Sequence, residues 1–118
     1  MIPMRLEFLV GELIDSSSQN PSECAKPPFS AEVMDFISAL SNSLLKIQVV
    51  RDYPDIVSFA YWCRKSNLVR LEKNFDNTYK RLGRGFALHI APSNVPVNFA
   101  FSLAIGMLAG NTNVVRVS

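Results

Sequence analysis

The stretch FALHIAPSNVPVNFAFSLAIGMLAGNTNVVRV, residues 86–117, decides the fold of this chain. Its first part, residues 86–91, is a short apolar run between a glycine and a proline, which is typical of a buried strand. Residues 97–108 are long enough for a helix and apolar on most sides, so we expect a helix that is buried on more than one face. Gly110 and the asparagine after it form a helix stop, and residues 113–117 predict a second strand. Strand, turn, helix and strand in this order predict a βαβ unit with a right-handed crossover.

Such a unit leaves part of its apolar surface without a partner. Two parallel strands with a helix on one face expose their other face, which parallel sheets normally cover. The sequence reaches Ser118 directly after the second strand. We therefore expect the 118 residues to be an N-terminal piece of something larger, or to need a partner chain.

The sequence upstream predicts irregular chain followed by helices. Residues 5–10 and 12–14 predict two short strands, and residues 16–29, with three prolines and many small polar side chains, predict a linker or surface loop. Ser30 is a predicted helix N-cap, and apolar residues continue from it at helical spacing to about Lys46.

A second helix is predicted from Pro54, since proline suits the first turn of a helix. At Ser66 and Asn67 the apolar pattern changes phase, which fits either a break with a new N-cap or one helix with a drifting apolar face. These patterns divide the chain into three predicted segments. They are N-terminal strands and linker over 1–29, a helical region over 30–82 and the truncated start of a βαβ unit over 83–118.

The formal net charge of +2 hides an asymmetry between the two halves of the chain. Residues 1–59 carry four basic and eight acidic side chains, whereas residues 60–118 carry eight basic and two acidic ones. The basic excess lies in Arg64, Lys65, Arg70, Lys73, Lys80, Arg81 and Arg84. Such a cluster attracts the phosphates of nucleic acid, a nucleotide or coenzyme A, or it is the solvated face of a helix followed by a basic loop.

Several classes of protein are excluded by composition and pattern. No run reaches the roughly 18 apolar residues of a membrane-spanning helix. The N-terminal residues do not predict a secretory signal, so we expect a cytoplasmic protein without a membrane span. Cys24 and Cys63 are too few for a disulfide framework, and no histidine lies near either. We expect two inert thiols and no metal site.

The turn after the first strand is the best candidate for a functional site. Ligands of doubly wound sheets lie at the carboxyl ends of strands, beside the N-termini of helices that favour anions. Here Asn94 offers an amide donor, and Ser93 can bond a phosphate or cap the helix. Arg116, at the end of the second strand, is expected at the same edge. A capped, structural turn explains Ser93 and Asn94 equally well.

Other polar and apolar features of the unit favour structural interpretations. Gly83-Arg84-Gly85 precedes the strand, whereas a dinucleotide fingerprint follows one, so we expect a flexible entry into the strand. His89 lies inside the strand and is expected to be a buried, hydrogen-bonded imidazole. Four large side chains of the helix are expected in the core rather than in the wall of an acyl-binding site: Phe99, Phe101, Leu103 and Met107.

Residues 83–118, GRGFALHIAPSNVPVNFAFSLAIGMLAGNTNVVRVS, closely resemble the opening of the nucleotide-binding domain in the LuxC family of acyl-CoA reductases, part of the aldehyde dehydrogenase superfamily. The superfamily pattern Pro-Trp-Asn-Phe-Pro is echoed by residues 92–96, and Gly-Asn-Thr-Val-Val-Leu-Lys-Pro-Ser by residues 110–118. Upstream, WCRKSNLVRLEKNF and LEFLVGELID are similar to the family less distinctively. The resemblance implies an α/β fold, the N-terminal part of an aldehyde dehydrogenase-like fold with a helical region before a Rossmann-like βαβ unit.

The resemblance assigns roles to individual residues. Asn94 matches the asparagine whose amide helps to hold the oxyanion of the thiohemiacetal intermediate. Pro92, Ser93, Asn94 and Val95 match the segment that lines the nicotinamide side of the cofactor cleft. Arg116 matches a lysine that bonds the adenosine ribose, and Ser118 the serine near it. An arginine suits a ribose 2′-phosphate through its planar fork, so the expected cofactor is NADPH.

The implied reaction is the reduction of a long-chain fatty acyl-CoA to a fatty aldehyde. In this family a cysteine thiolate attacks the thioester, coenzyme A leaves, and NADPH delivers hydride to the acyl-enzyme. The family's nucleophile lies far downstream of the matched motif, and neither Cys24 nor Cys63 occupies its position. We therefore expect the nucleophilic cysteine outside this chain and no turnover by the chain alone.

The resemblance further implies a full-length protein that forms a homo-oligomer or works with partner enzymes, an association with luminescence, and no nucleic-acid partner. Two alternatives stay open. The chain is another member of the aldehyde dehydrogenase superfamily with a different acyl or aldehyde substrate, or it is a noncatalytic remnant or basic binding module that uses Arg64 to Arg84.

Overall fold

The computed structural model of the protein describes residues 25–75 and 78–117. The strands predicted over 5–14, Cys24 and Ser118 lie outside the described residues. In chain order the elements are α1 (Ala31–Lys46), a 3-10 helix (Gln48–Asp52), α2 (Pro54–Trp62), α3 (Lys65–Asn74), β1 (Phe86–Ile90), α4 (Asn98–Leu108) and β2 (Thr112–Arg116). The chain is therefore mixed α/β, with helices before a two-stranded parallel sheet.

The predicted helix starts are confirmed at two positions. The Ser30 hydroxyl accepts a hydrogen bond from the backbone N–H of Val33 at 3.4 Å, and α1 ends at Lys46 as the apolar spacing indicated. Pro54 occupies the first turn of α2, where the missing N–H of proline costs no hydrogen bond.

A break, and not one helix with a drifting face, separates α2 from α3. Arg64 has an extended backbone and is the N-cap of α3. The break lies two residues before the predicted position at Ser66. The Asn67 side chain donates to the carbonyl oxygen of Trp62 at 2.7 Å, so one orphan carbonyl at the end of α2 is satisfied.

The C-terminal third of the chain forms the predicted βαβ unit. β1 and β2 pair in parallel, with Phe86 opposite Thr112 and Ile90 opposite Arg116, and α4 connects them. The second strand begins at Thr112, one residue before the predicted start.

The helix stop is a Schellman motif. Gly110 has a φ of 88°, the left-handed conformation that glycine adopts without cost. The Gly110 N–H donates to the carbonyl oxygen of Met107 at 3.0 Å, and the Asn111 N–H to that of Gly106 at 3.1 Å. The last carbonyls of α4 therefore have partners, and the chain turns directly into β2.

One core joins the helical region to the βαβ unit. Buried side chains of α1, α2, α3 and α4 form it, together with the residue that follows α2: Met34, Ile37, Phe59, Cys63, Leu68, Ala104 and Leu108. Phe101 packs edge-on against Phe59 and Trp62, with ring centroids 4.9 and 5.7 Å apart, so it belongs to the core as predicted. The buried Ser41 hydroxyl donates to the carbonyl oxygen of Ala60 at 2.6 Å and ties α1 to α2.

The described end of the predicted linker, residues 25–29, is irregular but firmly attached. The Lys26 N–H donates to the carbonyl oxygen of Gly110 at 2.8 Å, and the Gly83 N–H to that of Lys26 at 2.9 Å. A Cβ added to Gly83 would overlap the Gly110 carbonyl oxygen. Gly83 is therefore required for close backbone approach, a role beyond the flexible strand entry that the sequence suggested.

The two faces of the sheet differ as predicted. Alternate residues Ala87 and His89 lie on the half-buried side beneath α4. Leu88 and Ile90 lie on the other side and are each 67% exposed. The prediction of an uncovered apolar sheet face is confirmed for the described residues. The prediction of a buried strand is wrong, because every residue of β1 is exposed or half-buried.

Candidate functional site

The turn between β1 and α4 lies at the carboxyl edge of the sheet. The Ala91 N–H donates to the carbonyl oxygen of Arg116 at 3.3 Å, so the start of the turn is attached to the end of β2. The Asn98 N–H donates to the carbonyl oxygen of Val95 at 3.1 Å and closes the turn into α4. Val97 is the N-cap of α4, and no side chain caps it.

The predicted site residues of this turn are exposed. Pro92, Ser93, Asn94 and Val95 are all exposed to solvent. Within residues 25–75 and 78–117, the structure shows no hydrogen bond from the Ser93 or Asn94 side chain. The alternative of a turn capped by these side chains is therefore not what the structure contains.

The sheet brings Arg116 to the same edge. In the parallel register Arg116 lies opposite Ile90, the last residue of β1, and its side chain is exposed. Asn94 lies three positions after Ala91, whose N–H is hydrogen-bonded to the Arg116 carbonyl oxygen. We call Pro92 to Val95 together with Arg116 the carboxyl edge. Ser118, the remaining predicted cofactor residue, lies outside the described residues.

His89 belongs to a polar network between the sheet and α4. Its Nδ1 lies 2.7 Å from the Ser102 Oγ, and its Nε2 lies 2.8 Å from the Asn113 Oδ1. The Asn113 amide nitrogen donates to the carbonyl oxygen of Asn111 at 2.8 Å, which directs its Oδ1 towards the ring. Because Oδ1 only accepts, Nε2 carries the hydrogen and Nδ1 accepts from the Ser102 hydroxyl.

This network fits the structural role predicted for His89, although the ring is half-buried and not fully buried. Gly106 lies directly above it on α4, and a Cβ there would overlap Asn113 Oδ1 and press on the imidazole. Sequence reasoning missed Ser102 and Asn113. A polar residue in an apolar helix and another in an apolar strand were the available signals.

Cys63 is unsuited to nucleophilic chemistry. It is fully buried in the core, and burial raises the pKa of its thiol from 9.0 to about 11. The thiolate is therefore scarce near neutral pH, which agrees with the predicted inert role. The described residues contain no group of three or more His, Cys, Asp or Glu side chains placed to hold a metal ion.

Several basic side chains of the second half contact neighbouring residues. The Lys65 Nζ lies 3.5 Å from the Asp35 carboxylate, and both side chains are exposed. The guanidinium of Arg64 lies over the ring of Tyr61. Arg70 donates to the Asn67 side chain at 2.7 and 3.3 Å, and the guanidinium of Arg81 lies over Phe75. These contacts fit the solvated face of a helix better than a phosphate-binding cluster.

An apolar cavity of about 540 Å³ lies between α1, α2 and α4. Its α4 wall contains Phe99, Leu103 and Met107, and its wall from the other helices includes Phe36, Leu40 and Ile56. The prediction of a core position is therefore wrong for Phe99, which is 37% exposed. Leu103 and Met107 are half-buried and line the cavity as well. The helix is apolar on several sides, and the sequence does not reveal which side faces an opening.

The segment that carries the carboxyl edge matches a known family. The family model Acyl-CoA reductase (LuxC) matches residues 63–118, which include α3, β1, α4 and β2. No curated protein and no solved structure matches the chain. In the described part of the chain, none of the helices combines the length and hydrophobicity needed to cross a membrane. Residues 63–118, which are 56 of the 118 residues of the chain, are therefore similar to the LuxC family of acyl-CoA reductases.

Proposed function

We propose that this chain provides the cofactor-binding turn and an oxyanion donor of an NADPH-dependent acyl-CoA reductase, on the N-terminal part of an aldehyde dehydrogenase-like fold. The reaction converts a long-chain fatty acyl-CoA to a fatty aldehyde through a cysteine thioester. One observation carries the proposal. The exposed turn with Asn94 and the exposed Arg116 lie at one edge of the sheet, within the segment that matches the family.

Asn94 is the proposed oxyanion donor. Attack on a thioester carbon converts the carbonyl oxygen to an oxyanion, and a fixed amide N–H stabilises that charge. The Asn94 side chain is exposed beside the first turn of α4, whose N-terminal N–H groups add a positive potential. Among the described residues its amide donors have no hydrogen-bond partner, so they are available to a ligand.

The carboxyl edge fits a phosphorylated dinucleotide. Arg116 presents a planar cation to solvent, Ser93 offers an exposed hydroxyl, and no side chain caps α4. Arg116 and Ser118 would hold the adenosine ribose and its 2′-phosphate, and the turn would line the nicotinamide side. NADPH supplies the hydride for the reduction when it is bound.

We propose that the nucleophilic cysteine lies outside this chain. The buried Cys63, with a pKa raised to about 11, is a poor nucleophile at neutral pH. We propose that the complete reductase acts in the cytoplasm as a homo-oligomer or with partner enzymes. The chain alone is expected to form no aldehyde from acyl-CoA and NADPH, and aldehyde detected by gas chromatography would contradict this placement.

NADPH binding to the full chain tests the cofactor part of the proposal. Titration monitored by nicotinamide fluorescence should give binding that weakens about tenfold or more in Arg116→Leu and largely persists in Arg116→Lys. Arg84→Leu is the matched control. Arg84 is exposed and precedes β1, so it lies at the opposite end of the sheet from Arg116. Equal affinities for all four proteins would overturn the assignment of Arg116.

A further inference from the structure

We infer that the apolar cavity between α1, α2 and α4 binds the alkyl chain of the acyl substrate, with the thioester end at the Pro92–Pro96 turn. This inference rests on the proposed function, because it names where the substrate of that reaction lies. The cavity has a volume of about 540 Å³, which lies in the range of small-molecule sites and far above the voids of a packed interior.

The cavity is not a loosely packed part of the core. The core residues Ile37 and Phe59, which line part of it, are only 1% and 4% exposed. In contrast, Phe36 on the cavity wall is 55% exposed. Large apolar side chains that remain in contact with water on a concave surface are a feature of ligand sites.

The lining restricts the chemistry of the occupant. Among the described residues that line the cavity, Asp55 is the one charged side chain, and no lysine or arginine is present to pair with an anion. A nucleotide, a phosphate or a fatty-acid carboxylate therefore finds no cation there. An uncharged hydrocarbon gains free energy from every methylene that it buries against these walls.

The position of the cavity connects it with the carboxyl edge. Two residues that line the cavity are Pro96, the last residue of the turn that carries Asn94, and Val97, which follows it. Met107 lines the cavity further along α4, about 15 Å from Val97 at the rise of an α-helix. A chain that lies along α4 therefore has one end beside the proposed oxyanion donor and its tail near Met107.

Binding of uncharged n-alkanols to the full chain tests the inference without any catalysis. In calorimetric titrations of hexanol, octanol, decanol and dodecanol, affinity should rise about fourfold with each added methylene. Leu103→Trp fills the cavity and should weaken octanol binding about tenfold or more. Ile105→Trp is the matched control on the same helix, because Ile105 is exposed and does not line the cavity.

A second variant keeps the test valid if Leu103→Trp does not fold, as judged by circular dichroism. Met107→Trp should weaken dodecanol binding and leave hexanol binding nearly unchanged, because it blocks only the distal end. The inference would be overturned if no alkanol bound or if all variants bound alkanols equally. It would also be overturned if sedimentation experiments showed a dimer in which a second copy of the chain fills the cavity. NADPH titration separates the two proposals: alkanol binding without an Arg116 effect refutes only the cofactor assignment, and the reverse result refutes only the cavity assignment.

Discussion

The two ends of α4 are built in opposite ways. At its C-terminal end a Schellman motif satisfies the carbonyls of Gly106 and Met107, and the N–H groups of Lys26 and Phe29 donate to the carbonyls of Gly110 and Leu108 at 2.8 and 2.7 Å. At its N-terminal end no side chain caps the helix, and the turn before it exposes Asn94. The difference indicates which end supports the fold and which end is available to a ligand.

This division follows from the free energy of polar groups. At the C-terminal end of α4 the polar backbone groups are already hydrogen-bonded within the protein and are not free to bind a ligand. At the N-terminal end the donors on the exposed turn are bonded to water, which a ligand can replace at a small cost in free energy. The firmly attached end also fixes the direction of the helix, so the exposed end is held in place by contacts more than one helical turn away. Substitutions at the two ends should therefore separate chemistry from stability.

The largest effect is expected at the exposed end, on catalysis. In a complete reductase that carries this segment, Asn94→Ala should lower kcat by about 10²- to 10³-fold, since loss of one oxyanion donor has that effect in acyl-transfer enzymes. The free energy of unfolding should change by less than about 0.5 kcal/mol, because the side chain is exposed. NADPH oxidation with a long-chain acyl-CoA and urea unfolding measure the two quantities.

Asn98→Ala is the control for this variant, since Asn98 is exposed one position into α4. It should retain most of the reductase activity. Equal losses of kcat in Asn94→Ala and Asn98→Ala would show that the turn has no specific oxyanion donor at position 94.

The opposite outcome is expected at the C-terminal end. Gly110→Ala places a Cβ on a residue with a φ of 88° and against the Lys26 carbonyl oxygen. The strain should lower the free energy of unfolding by about 2 to 3 kcal/mol. Urea unfolding followed by circular dichroism measures this free energy.

Gly85→Ala is the control. Its φ of 106° is also unfavourable for alanine, but its added Cβ meets no atom within 4 Å. Equal losses would show that backbone conformation alone, without the contact, accounts for the effect.

Much of this contrast can be read from the sequence. Gly110-Asn111 predicted the stop, Ser30 the cap of α1, and the short apolar runs the two strands, because these signals act over a few residues. The uncovered face of the sheet also followed from strand count and alternation. The family resemblance over residues 83–118 is confirmed by the match over 63–118.

The remainder depends on contacts between distant residues. Lys26 meets Gly83 and Gly110 through backbone groups, for which the side chains give no signal. The partners of His89 lie 13 and 24 positions away in sequence. The cavity arises from the angle between helices, and an apolar helix such as α4 does not reveal which of its sides stays open. The roles of Asn94 and Arg116, and the boundaries of the three segments, stay predictions.

The buried thiol of Cys63 should have a smaller effect, which is on the pH dependence of the free energy of unfolding. The pKa of Cys63 in the folded chain is raised to about 11 from 9.0. Above about pH 9 the unfolded chain loses the thiol proton while the folded chain keeps it, so folding becomes less favourable as pH rises towards 11. The free energy of unfolding should fall by about 1 kcal/mol between pH 8 and 10 from this group. Urea unfolding at both values should show a smaller decrease in Cys63→Ala, and an identical decrease would refute the contribution.

The smallest effect is expected midway between the two ends of α4, at the His89 network. Ser102→Ala removes an exposed hydroxyl that donates to Nδ1, so the cost should be about 0.5 kcal/mol, because water replaces the lost donor. The tautomer should not change, since Asn113 is held by Asn111 and still requires a hydrogen on Nε2. Nitrogen chemical shifts of the imidazole measure this directly, with Ser58→Ala on α2 as an exposed control. If Nδ1 carried the hydrogen in the unchanged chain or in Ser102→Ala, the assigned hydrogen-bond directions around His89 would be wrong. Asn113 would then not be the residue that orients the ring.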